Sequence, residues 1–176
     1  QMHPERLNQP FEMGNRLHDK KVFVCDVSDL FHESVPFSFI YDVFQTFRKC
    51  YKTTFQLVTK RPDRAIEFYK YAEIDTPLPN VWFLVSVEDQ PSADERIPLL
   101  LQIPAVVHGL SCEPLIGPID LDKFLPIMEP ATGNEINWVI AGGESGQRIG
   151  VRPMHPNWVR SLRDQCKAAN VAFFFK

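Results

Sequence analysis

Three glutamates, Glu88, Glu113 and Glu144, each follow an apolar run: Ser86-Val87-Glu88, Ser111-Cys112-Glu113 and Gly142-Gly143-Glu144. Carboxylates brought together raise one another's pKa or demand a cation, so three in equivalent positions point to a shared functional mouth. Lys60 and Arg61 follow another run, and Arg148 and Arg152 follow Glu144, so both signs of charge are expected at one end. That mixture suits a zwitterionic or mixed-charge ligand better than an acidic metal cage, and no metal site is expected. Asp29, after the first run, joins Arg61, Arg148 and Arg152 as an expected substrate contact. Gly142-Gly143 would let backbone amides approach a ligand carboxylate or phosphate, with a tight turn for close packing as the alternative. The loop has neither G-x-G-x-x-G nor a P-loop lysine, so no motif supports a dinucleotide or nucleoside triphosphate fold.

Two residues have the types needed for proton transfer or nucleophilic attack. His32 lies between Asp29 and Glu33, which fits a general base oriented by a carboxylate or, equally, a loop-stabilising histidine. Cys112 closes an apolar run where a thiol could face a cleft, although the adjoining Glu113 disfavours a thiolate. The other cysteines, Cys25, Cys50 and Cys166, are far apart in the chain and form no C-x2-C pair. Cys25 and Cys166 read as small buried hydrophobes. His155, directly before Pro156, reads as a helix-start residue.

The elements that must position these groups follow from apolar periodicity. Nearly continuous apolar runs, as in strands buried on both faces, begin near Val22, Phe55, Val81, Ala105, Trp138 and Val171. Between them lie patterns of helical period, such as Phe37, Ile40, Tyr41, Phe44 and Phe47, then Val159, Leu162, Cys166 and Ala169. Pro36, Pro62 and Pro156 mark helix starts. Ser92 and Glu95 have the spacing of a capping box, with Pro98 in or near the first turn. A short helix is expected over 121–128 and an exposed loop over 129–134. The order is βαβαβαβαβαβ, and right-handed crossovers make such a sheet mostly parallel: a doubly wound sheet or part of a (β/α) barrel. In both, ligands bind beyond the carboxyl ends of the strands, where the charged residues fall.

The chain has 176 residues, 44% hydrophobic and 23% charged, as expected for one α/β domain over 1–176. Its 19 Lys and Arg against 22 Asp and Glu give a net charge of -3, so global charge does not support a nucleic-acid partner. A small molecule at the strand ends is the expected ligand. No apolar run approaches the roughly 20 residues of a membrane helix. No export signal is visible at the start, so a cytoplasmic location is expected.

These segments together resemble the phage Gp37/Gp68-like family of uncharacterised proteins, which look related to radical S-adenosylmethionine enzymes. The resemblance rests on residues 3–7, 24–33, 55–64, 79–90, 93–101, 111–118, 137–146 and 152–176. It implies a partial (β/α) barrel of about six parallel strands with outer helices, in preference to a doubly wound sheet. It also implies S-adenosylmethionine as a possible cofactor, for which the strand-end residues Glu88, Glu113, Glu144, Lys60, Gly142 and Gly143 are the expected contacts. Family members typically carry three closely spaced cysteines upstream for an iron–sulfur cluster. This chain has none and begins at Gln1, so the expectation is a fragment that lacks the cluster-binding end and is inactive alone. The alternative is a cluster-less, phage-associated domain that binds a ligand or protein without chemistry.

Overall fold

The computed structural model describes residues 2–25, 28–125, 135–146 and 150–176. Short helices, including α1 (Gln9–Met13), precede β1 (Lys21–Val24), and α2 (Phe37–Lys49) leads to β2 (Thr54–Thr59). Then come α3 (Pro62–Tyr71), β3 (Val81–Ser86), α4 (Gln90–Leu100), β4 (His108–Cys112), β5 (Ile136–Ala141), α5 (Pro156–Ala168) and β6 (Ala172–Phe175). All six strands pair in parallel, in the order β1-β2-β3-β4-β5-β6. Because that order never reverses, right-handed crossovers carry every helix to the same side of the sheet. A doubly wound sheet needs a reversal to cover both faces, so the fold is instead a curled half-barrel with its helices outside.

Alternation along each strand sorts the side chains. Phe55, Leu57, Phe83, Val85, Leu110 and Val139 belong to the convex core with Phe44, Phe47, Phe68, Ile97 and Leu162 from the helices. The contact is largely aromatic: Phe47 lies 4.3 Å from Phe55, centroid to centroid, and Phe31 lies 5.6 Å from Phe83. Residues of the other parity, including Phe23, Val58, Ser86, Ser111, Trp138, Ile140 and Phe174, line the concave face.

Local chemistry moves several boundaries. Helix α4 starts three residues before the expected box: Asp89 is the N-cap and accepts from the Ser92 amide at 3.0 Å, while the Asp89 amide donates to Ser92 Oγ at 3.1 Å. Ser92 thus closes the box from the third helical position, and Pro98 lies inside the helix. The fourth strand begins at His108, not near Ala105, since Pro104 has no amide to donate and Val106 stays exposed. The short helix expected over 121–128 is, as far as residue 125, one turn closed by amides of Phe124 and Leu125 on the Leu121 carbonyl. The remainder of that helix and the 129–134 loop lie outside the described residues. Pro62 and Pro156 do open α3 and α5, and His155 caps α5 by accepting from the Asn157 amide.

Gly109 lets the sheet curl at β4. A Cβ there would stand 2.7 Å from Leu84 Cγ and 3.3 Å from the Trp138 carbonyl oxygen. Gly109→Ala should therefore overpack the concave floor and cost about 1–3 kcal/mol, read as a lowered urea midpoint in a variant that retains its helical circular dichroism.

Candidate functional site

At the carboxyl ends of the strands the concave face opens into a cavity of about 850 Å³. The two-residue period carries each inward position past its strand end, from Val58 to Lys60, Ser86 to Glu88, Ser111 to Glu113 and Phe174 to Lys176. Glu113 and Glu144 line this cavity, Glu88 is buried behind the lining Lys60, and each of the three carboxylates already has a cation. Lys60 and Arg96 both pair with Glu88, Arg96 at 2.9 Å. Lys176 donates to Glu113 at 3.0 Å. Arg152 grips Glu144 through Nε at 3.0 Å and Nη2 at 2.6 Å, and its backbone amide adds a third bond at 2.8 Å.

These pairs differ in depth. The Glu88 carboxylate is nearly buried, and burial pushes its pKa up. Hydrogen bonding to Lys60 and the charges of Arg96 and Lys60 together outweigh that, so it lies below the usual carboxylate range. Glu144 is half-buried, and the hydrogen bonds from the Arg152 guanidinium, then from its amide, bring its pKa down to about 2. The Glu113 pair with Lys176 is open, with the lysine side chain 66% exposed.

Several expected contacts have other roles. Asp29 lines the cavity, but its two oxygens accept from the Phe31 and Lys60 amides, Thr59 Oγ1 and Arg61 Nη1. With its lone pairs occupied it latches the loop after β1 to the end of β2, and Arg61 is its partner at 3.0 Å. The Gly142 amide donates to the Cys112 carbonyl and its carbonyl accepts from the Leu115 amide, so this glycine presents no free amide to a ligand. Its missing Cβ makes room for Glu113, whose Cδ would lie 3.3 Å away. Gly143 does line the cavity. Arg148 lies outside the described residues.

Both candidate catalytic residues lie apart from the mouth. His32 shares a 2.8 Å hydrogen bond with Ser34 Oγ through Nδ1, which also accepts from the Ser34 amide, and its carbonyl accepts from Arg64. It borders a groove between the N-terminal segment and α2 and is not among the residues that line the mouth. Cys112 does not face a cleft: its side chain is fully buried in the convex core with Cys166, and burial pushes its pKa far up. The parity that turns Ser111 and Glu113 inward turns Cys112 outward. Cys25 proves only half-buried and lines the cavity, with a left-handed φ of 60°. Sequence reading missed Lys176, Arg96 and the aromatic walls Phe23, Trp138 and Phe174. Alternation within the strands carried the signal for the walls and for Lys176, whereas Arg96 reaches the mouth from a helix that sequence does not orient.

The Glu144 tether has a defined pH window. Its pKa is depressed from an ordinary 4.5, so the pair contributes fully above that value and is lost as pH falls from about 4.5 through about 2. Carboxyl-carbon NMR should show Glu144 titrating near pH 2 and, in Arg152→Gln, back in the ordinary range. Alkylation of the native protein should spare Cys112 and Cys166, and both should react once the chain is unfolded; labelling of native Cys112 would contradict its placement.

No helix among the described residues is long and apolar enough to cross a membrane. Neither the search of curated proteins nor that of solved structures gives a significant match. A family model described as "Protein of unknown function (DUF5131)" matches residues 1–176, the whole length, and the chain is a member of that family.

Proposed function

We propose that the concave mouth is an S-adenosylmethionine site and that this chain forms the barrel core of a radical-type enzyme. The observation that carries the reading is the set of charge pairs at the ends of β3, β4 and β5, above an aromatic and aliphatic wall. The volume lies within the about 300–1,000 Å³ typical of small-molecule sites. S-adenosylmethionine carries an ammonium, a carboxylate, a sulfonium and a flat adenine, which match carboxylates, Lys60 or Lys176, and the faces of Phe23, Trp138 or Phe174. Exposed ion pairs are worth only about 0–1 kcal/mol, so a ligand ammonium exchanges with Lys176 at Glu113 at little cost. Glu88, buried and held by two cations, fixes Lys60 at the lining, where a ligand carboxylate would meet it.

The iron–sulfur cluster of such enzymes needs three close thiolates. Among the described residues no three His, Cys, Asp or Glu side chains form a group that could hold a metal, and the four cysteines are dispersed. These residues do not fit a cluster, and no step is assigned to one. The dispersal favours a second reading, a domain that uses the same mouth to bind a ligand or protein without chemistry.

Without the anchor a cluster gives the methionyl group, affinity should be about millimolar, about -4 kcal/mol. Titration with S-adenosylmethionine or S-adenosylhomocysteine should shift NMR resonances at the ends of β3 to β5. Glu113→Gln or Glu144→Gln at a true contact should lose about 1–3 kcal/mol of binding. No shift at saturating ligand, or Gln variants at Glu88, Glu113 and Glu144 that all bind like the parent, would replace this reading with the binding domain.

A further inference from the structure

The opposite end of the sheet carries a second charged surface with no role in the mouth. Helix α2 ends at Lys49, and the turn through Tyr51 and Lys52 enters β2. Residues 16–21 run beside that turn: the Asp19 amide donates to the Lys52 carbonyl at 2.8 Å, Thr53 Oγ1 to the Leu17 carbonyl at 2.9 Å, and the Thr54 amide to the Lys20 carbonyl at 2.9 Å. These bonds set Arg16 and Lys20 near Lys52, with Arg48 and Lys49 at the end of α2, all five of them exposed, whereas Lys21 turns into the trough over Trp82. Among the described residues none of these five joins an ion pair. Glu12 and Asp19 are the carboxylates in the same segments, while Glu73 and Asp75, after α3, line a separate hollow. A chain of net charge -3 thus concentrates positive potential at one end.

A hollow of about 150 Å³ lies within this surface, walled in part by Phe11, His18, Lys49, Tyr51 and Lys52. Two of its aromatics are left to solvent, Tyr51 at 70% exposure and Phe11 at 41%, and Lys49 Nζ sits 5.7 Å from the Phe11 ring centre. Cations that follow a phosphate backbone, interleaved with open aromatic faces on which bases stack, are the chemistry of single-strand recognition. A duplex hides its base faces, and an acidic protein would need the cations alone.

We propose that this surface binds single-stranded nucleic acid, its lysines and arginines taking phosphodiester oxygens while Tyr51, the more open ring, stacks on a base. The site is independent of the mouth. It is tested by fluorescence anisotropy of the full chain with a labelled oligothymidylate of about 12 nucleotides at about 50 mM salt. Saturable binding is expected that weakens steeply with added salt. The Lys49→Gln, Lys52→Gln double variant should lose about ten-fold or more, and Arg16→Gln with Lys20→Gln should lose affinity from the other segment. Tyr51→Ala should lose about five-fold or more for the oligonucleotide and nothing for heparin, a polyanion without bases. No saturable binding, an inert Tyr51→Ala, or loss in Lys60→Gln at the mouth with both patch variants unaffected would each overturn the proposal.

Discussion

Strand order governs this molecule. Six parallel strands succeed one another across the sheet in chain order, and because each crossover has the same hand, the helices are confined to one face. That face becomes a dry aromatic core in which Phe44, Phe55, Phe68 and Phe83 are fully buried. Among the described residues no helix covers the other face, which curls into a trough. What lines the trough therefore need not be purely apolar, and its side chains change along the strand axis. Near the strand starts Trp82 and Trp138 pack edge to face, with Lys21 over Trp82, and beyond the strand ends the lining becomes ionic.

The ionic rim obeys a constraint of its own. Three carboxylates on neighbouring strands would repel one another and resist ionisation without compensation. Each is compensated by a cation from a different part of the fold: Lys60 just past β2 and Arg96 from α4, Lys176 beside the end of β6, and Arg152 from the loop before α5. The pairs grade from the nearly buried Glu88, where loss of either partner leaves a charge poorly solvated, to the open Glu113 pair, which solvent or a ligand breaks easily. A mouth built this way holds its shape at one strand and yields at the next.

The same sheet gives the molecule two chemically different ends. Carboxyl termini of the strands gather paired charges around a cavity. Their amino termini, beside the end of α2, gather unpaired cations around exposed aromatic rings. A net charge of -3 conceals this division, because it sums the charges of both ends.

Much of this was determined by sequence alone. Apolar runs and helical periods fixed the alternation of strands and helices, prolines marked the starts of α3 and α5, and the glutamates after three successive runs had to meet wherever those runs lay side by side. What sequence could not decide was orientation and pairing. Whether Cys112 faced the cleft or the core depended on strand parity, and a shift of one residue reverses it. Whether Asp29 was a ligand contact or a latch depended on Thr59, Lys60 and Arg61, some 30 positions away. Gly142 proved to make space for Glu113 because the two occupy neighbouring strands. Spacing records which residues share an element. Which carboxylate is buried, which is free to exchange, and which amide is already used are set by contacts between elements, and those exist only once the sheet has curled.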